Sequence, residues 1–143
     1  MRKTRILAVG KLRDRGLREL CDDYYRRCRG RLLIEEQELR DLSALARAVP
    51  GRAQLVVLDE GGAQLTSRAF SQRLRAWTES AGQKELVFAI GGADGFDAAL
   101  RQRADTTLSL GMMTLPHQLA RVVLAEQLYR AVSILEGSPY HRD

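Results

Sequence analysis

The chain has little of what metal and disulfide chemistry need. Its 143 residues hold two cysteines and two histidines. Cys21 and Cys28 share one face of a helical pattern. Two turns separate them by about 10 Å along the axis, too far for a disulfide. Together with His117 and His141 they make no zinc spacing, so the reading is two reduced core thiols and no metal. No apolar run approaches the roughly 20 residues of a membrane-spanning helix. The apolar stretch behind Met1-Arg2-Lys3-Thr4-Arg5 meets Gly10-Lys11 too soon for a signal-peptide core. These absences predict a cytoplasmic protein with no membrane partner. Repeats, low-complexity tracts and linkers are also missing, as are the dinucleotide fingerprint Gly-x-Gly-x-x-Gly and a phosphate-loop lysine-serine pair.

What is present suits one domain, residues 1–143, with a real core. Hydrophobic residues make up 45% and charged residues 29%. The net charge of +5 is uneven: through Arg31, eleven basic residues stand against four acidic ones. Such a basic third fits a phosphate-backbone contact through Arg13, Arg15, Arg18, Arg26 and Arg27, and it fits a solvated helix face equally well.

Strand and helix patterns alternate along the chain. Strands are predicted at Thr4 to Val9, Arg31 to Leu39, Ala53 to Leu58, Leu86 to Ile90 and Thr106 to Leu110. The runs Leu55-Val56-Val57-Leu58 and Leu86-Val87-Phe88-Ala89-Ile90 read as strands covered on both faces. Helices fit between them: Leu17, Leu20, Cys21, Tyr24, Tyr25 and Cys28 on one face; then 42–49, stopped by Pro50-Gly51; then a helix capped by Thr66 or Ser67 and ended at Gly82; then Asp97 to Arg103. A final long helix carries Leu119, Val122, Val123, Leu128, Ala131, Val132 and Leu135, with Pro116 in its first turn and Gly137 behind it. The pattern predicts an α/β fold with a mostly parallel sheet and helices on both faces. Ligands in such sheets sit beyond the carboxyl ends of the strands. Three loops are expected there: Asp59-Glu60-Gly61-Gly62, Gly91-Gly92-Ala93-Asp94-Gly95 and the loop opening at Gly111. Their glycines serve a structural turn about as well as a ligand, and their place behind buried strands favours the ligand.

His117 reads as a structural histidine, and Glu126 and Arg130 as an i, i+4 helix pair. Arg121, mid-helix among apolar residues, reads as facing a partner subunit. The excess of apolar positions on this helix points to a homodimer.

Four segments in register carry a resemblance: Phe88-Ala89-Ile90-Gly91-Gly92-Ala93-Asp94-Gly95, Thr114-Leu115-Pro116-His117-Gln118-Leu119-Ala120-Arg121, Glu126-Gln127-Leu128-Tyr129-Arg130-Ala131 and Pro139-Tyr140-His141-Arg142. Their order and spacing resemble the ribosomal RNA large subunit methyltransferase H family, over essentially the whole chain. The resemblance implies a SPOUT-class enzyme with a C-terminal trefoil knot, acting as a homodimer with S-adenosyl-L-methionine. It implies methylation of N3 of a pseudouridine in the decoding-centre stem-loop of 23S rRNA, in the assembled ribosome.

Carried over residue by residue, the family's cofactor contacts fall on Leu58, Gly91 and the run Gly111, Met112, Met113, Thr114, Leu115 and Pro116. The substrate-side residues fall on Tyr140, His141 and Arg142. Two departures stand out. The chain has Gly111 and Met112 where family members often have serine and lysine, and the region between Leu39 and Pro50 is shorter than in relatives. The competing expectations are a SPOUT enzyme acting on another RNA, such as a tRNA, and a non-catalytic ribosome-binding factor using the same basic face. A Rossmann-type nucleotide binder is disfavoured by the missing fingerprint.

Overall fold

Ten elements alternate along the chain: β1 (Arg2–Val9), α1 (Arg15–Arg27), β2 (Leu32–Leu39), α2 (Leu42–Ala48), β3 (Ala53–Gln64), α3 (Ser67–Glu79), β4 (Glu85–Ile90), α4 (Ala98–Arg103), β5 (Thr106–Ser109) and α5 (His117–Glu136). The computed structural model describes residues 2–79, 84–92 and 95–141. The expectations at Gly82, Ala93, Asp94 and Arg142 lie outside the described residues.

Local chemistry sets the boundaries. Asp14, Asp41 and Asp97 each accept a hydrogen bond from a first-turn amide, capping α1, α2 and α4. Thr66, rather than Ser67, caps α3: its hydroxyl accepts from the Ala69 amide at 3.0 Å. Gly137 takes the left-handed conformation (φ 71°) that closes α5, and the Ser138 amide reaches back to the Ser133 carbonyl at 3.0 Å.

The five strands form one sheet in the order β2-β1-β4-β3-β5, every neighbouring pair parallel. Alternation along each strand sends side chains to opposite faces. One face carries Ile6, Ala8, Val56, Leu86, Phe88 and Ile90 against α1, α3 and α5. The other carries Leu7, Leu55, Val57, Val87 and Ala89 against α2 and α4. Helices thus cover both faces, as the unbroken apolar runs require. Phe70, Trp77 and Phe88 meet edge-on at 6.0–6.3 Å under α3. Cys21 and Cys28 are buried free thiols. Burial pushes them up to about 11 and about 12, so both stay protonated near neutrality.

Four details depart from the sequence reading. β3 does not stop at Leu58 but runs to Gln64. Both Leu58 and Ala63 pair with Leu108, so the residues between them bulge out of the ladder. Gly62 permits this: a Cβ there would lie 2.6 Å from the Thr107 backbone. Pro116 is the residue before α5 rather than part of its first turn, and its carbonyl accepts the first helical bond from Ala120 at 2.9 Å. Leu20 is exposed rather than on the buried face of α1.

The fourth departure is the largest. Arg121 faces no partner subunit: it is 1% exposed inside its own chain. Its Nη2 lies 2.6 Å from a Glu38 oxygen and 3.0 Å from a Glu36 oxygen, and its Nη1 donates to the Gly10 carbonyl at 3.1 Å. Period-two alternation on β2 puts both carboxylates on the face that α5 covers. Arg18, the Tyr25 hydroxyl and the Leu12 amide complete the network. A buried guanidinium needs such partners, because desolvating it alone is prohibitive.

Candidate functional site

The strand order sets β4, β3 and β5 side by side, and their carboxyl ends open on one cavity of about 350 Å³. Its floor is a row of register partners: Leu58 pairs with Ile90 on one side and with Leu108 on the other. All three line the cavity, so apolar residues from three neighbouring strands make its base.

Three segments rise from that floor. Behind β4, Gly91, Gly92 and Gly95 form a tight turn, closed by the Gly95 amide donating to the Gly92 carbonyl at 3.0 Å. A Cβ at Gly91 would sit 2.9 Å from the Gly95 carbonyl oxygen, so only glycine allows the chain to fold back there. Behind β5, the Ser109 hydroxyl donates to the Gly111 carbonyl at 2.8 Å and fixes the loop that leads to α5. Gly111 has φ 151°, a backbone conformation that side chains rarely adopt. Met113, Thr114 and Leu115 continue the wall, and His117 and Ala120 bring the amino end of α5 to it. Behind Leu58, Asp59 and Glu60 supply the third side, facing Arg101 of α4.

Of the residues expected to contact a cofactor, Leu58, Gly91, Gly111, Met113, Thr114 and Leu115 line this cavity together. Met112 and Pro116 are not part of its wall, and Met112 is 88% exposed. Sequence reasoning missed Ser109, His117 and Arg101. Ser109 falls inside the expected strand Thr106 to Leu110, and its contact with Gly111 gave no signal in the sequence. Arg101 had no local signal, since only the crossover of α4 carries it to β3.

Tyr140 and His141 do not join the cavity. Tyr140 lies back along α5, where its hydroxyl donates to Glu126 at 2.8 Å and its ring packs 4.5 Å from that of Tyr129. Arg130 pairs with Glu126 at 2.8 Å and stacks over the Tyr140 ring at 5.1 Å. Burial and the Glu126 carboxylate push the Tyr140 hydroxyl well above the ordinary phenol range. The His141 Nδ1 atom is enclosed and has no hydrogen-bond partner among the described residues. The basic N-terminal third also splits. Arg18 is consumed by Asp22, Glu36 and Glu38, and Arg26 and Arg27 pair with Asp23. Among the described residues no group of three or more His, Cys, Asp or Glu side chains is placed to hold a metal ion, and no helix is long and apolar enough to cross a membrane.

The fold has relatives among solved structures. A probable methylase family protein from Haemophilus influenzae superposes with a TM-score of 0.60 at 8% identity, over 98% of this chain and 70% of that one. The SpoU methyltransferase AviRb from Streptomyces viridochromogenes gives 0.53 at 14% identity, over 96% and 61%. These likenesses concern architecture. Sequence comparison goes further. The family model described as "Predicted SPOUT methyltransferase" matches residues 2–141. The ribosomal RNA large subunit methyltransferase H of Ruegeria pomeroyi is 45% identical over 152 residues, covering 96% of this chain and 97% of the relative. That of Chromobacterium violaceum is 43% identical over 157 residues, covering 99% of each. Both alignments are longer than the 143 residues here, so the relatives carry insertions that this chain lacks. The glycine-lined cavity beyond three parallel strands and the near full-length identity lead to one conclusion: the chain belongs to the ribosomal RNA large subunit methyltransferase H family of SPOUT methyltransferases.

Proposed function

We propose that residues 1–143 act as one methyltransferase unit that moves the methyl group of S-adenosylmethionine to N3 of a pseudouridine in 23S rRNA of the assembled ribosome. The observation that carries this reading is the cavity, where Leu58, Gly91, Gly111, Met113, Thr114 and Leu115 converge from three distant parts of the chain. Its volume suits a small-molecule cofactor. An apolar floor beside glycine-exposed backbone fits a flat adenosine group. S-adenosylmethionine supplies an electrophilic methyl on a sulfonium. Leu58, Gly91, Gly111, Met113, Thr114 and Leu115 are assigned to holding it, largely through backbone groups.

The protein's remaining tasks are to orient the acceptor base and to manage the N3 proton. Tyr140 keeps its proton across the working pH range, which suits a hydrogen-bond donor or stacking partner rather than a base. His141 is left as the proton acceptor. Arg142 is assigned to stabilising the imidate charge that develops as the proton leaves. The cavity lies at the amino end of α5, while Tyr140 packs against Glu126 and Tyr129, about 13–18 Å further along the helix. That separation favours a homodimer in which one subunit's tail serves its partner's cavity. The return of the chain from edge strand β5 through Gly111–Pro116 into α5 is the segment we assign to the trefoil knot. A cytoplasmic location follows from a ribosomal substrate.

Mass spectrometry of RNA from a deletion strain tests the target. Loss of one N3-methyl-pseudouridine from 23S rRNA is expected. Intact 23S rRNA with a missing methyl group in a tRNA would move the target. In vitro, deleting Tyr140 to Asp143 is expected to abolish methylation and to leave cofactor binding in place. Normal turnover by the truncated protein on ribosomes would refute the roles given to the tail.

A further inference from the structure

The wall of the cavity carries an ion pair to which methyl transfer itself gives no role. Asp59, in the β3 bulge between Leu58 and Ala63, has a side chain only 16% exposed, and its Oδ2 lies 2.7 Å from Nε of Arg101. Its Oδ1 accepts the Gly61 amide at 2.9 Å, so the carboxylate is held from two sides. Arg101 stands half-exposed on α4 and makes its closest contact to Asp59 through Nε. Its two terminal nitrogens make no hydrogen bond among the described residues, so the bidentate end of the guanidinium remains available. An ion pair this exposed adds little to stability. Its position at a ligand cavity therefore calls for another account.

We propose that Asp59 and Arg101 form the subsite for the amino-acid end of S-adenosylmethionine, Asp59 accepting from the ammonium and Arg101 donating to the carboxylate. This deepens the methyl-donor reading and rests on it. The adenosine part finds an apolar floor and backbone groups. The methionine part carries opposite charges on one carbon, and Asp59 and Arg101 are the adjacent opposite charges on the cavity wall. With Glu60 beside them, the two carboxylates and one guanidinium of the wall sum to one negative charge. The cofactor's zwitterion is neutral overall and its sulfonium adds one positive charge, so wall and ligand are complementary.

Calorimetric titration of the full-length protein with two ligands tests this. S-adenosylhomocysteine retains the amino-acid end, and 5′-methylthioadenosine lacks it. Arg101→Gln and Asp59→Asn should each weaken S-adenosylhomocysteine about tenfold or more, the scale of one missing charged hydrogen bond. They should leave 5′-methylthioadenosine within about twofold of wild type, as expected when the ligand carries no group for the altered side chain to bind. Asp59→Asn keeps an acceptor for Gly61, and Arg101 is half-exposed, so both variants should melt like wild type. Equal loss for both ligands, or unchanged affinity for both, overturns the subsite. A variant with unchanged cofactor affinity and weaker ribosome binding also overturns it, and moves Arg101 to the RNA side. A wild-type protein that binds neither ligand refutes the methyl-donor reading itself, which is a different result.

Discussion

The Glu38 carboxylate and the Arg121 guanidinium meet at 2.6 Å across 83 residues of sequence, joining edge strand β2 to the helix that borders the cavity. Removing Arg121 leaves Glu36 and Glu38 facing each other under α5. Breaking a buried pair in this way costs about 3–5 kcal/mol. Arg121→Met should therefore lower Tm by about 10 °C, at roughly 2–4 °C per kcal/mol for a chain of this size. A melting curve within a degree or two of wild type would show that Arg18 alone satisfies both carboxylates.

The same pair sets an acid limit. Burial alone would raise the Glu38 carboxyl, but the Leu12 amide and Arg121 outweigh it and hold it below the usual range. A depressed folded-state value means that the stabilisation is present above the unfolded pKa, about 4.3, and is lost as pH falls through the lower folded value. Circular dichroism should show stability declining below about pH 4. Glu38→Gln should flatten that decline, and an unchanged acid profile would argue against Glu38 as its source.

Gly62 and Gly61 should respond differently to alanine. A Cβ at Gly62 would press on the Thr107 backbone at 2.6 Å, whereas one at Gly61 would meet only the Asp59 side chain at 3.5 Å. Gly62→Ala should destabilise by at least the roughly 1–3 kcal/mol typical of overpacking. Gly61→Ala should remain close to wild type in denaturant titrations. Equal effects would mean that β3 and β5 can separate to admit a methyl group.

Ribosome binding should divide the N-terminal arginines. Arg13 and Arg15 are exposed, while Arg18 is held by three carboxylates. Neutralising Arg13 or Arg15 should weaken ribosome affinity and reduce the salt slope by roughly one for each phosphate left without its cation. Arg18→Gln should lower Tm instead and leave the salt slope unchanged. A salt slope that responds only to Arg18 would reverse the assignment.

The sequence carried most of the architecture because the sheet is simple. Covered parallel strands read as unbroken apolar runs, and apolar periodicity with glycine and proline stops marked the helices. What was illegible depended on distance along the chain. Gly61-Gly62 has the composition of a turn, and only the proximity of Thr107 shows that Gly62 instead makes room for a neighbouring strand. Arg121 looked like an interface residue because its partners are contributed by β2. Leu58, Gly91, Gly111, Met113, Thr114 and Leu115, on which the resemblance places cofactor contacts, line one cavity, whereas Met112 and Pro116 stand off its wall. Tyr140 gave no sign that it would lie against its own helix.

The row Leu58, Ile90 and Leu108 also bears on synthesis. Its last member arrives with β5, and the part of the wall made by His117 and Ala120 arrives only with α5. No nascent fragment that stops short of α5 possesses the cavity. Any affinity that depends on this cavity therefore requires α5 to be in place. Ligand binding during refolding should report completion of the native state rather than any earlier collapse.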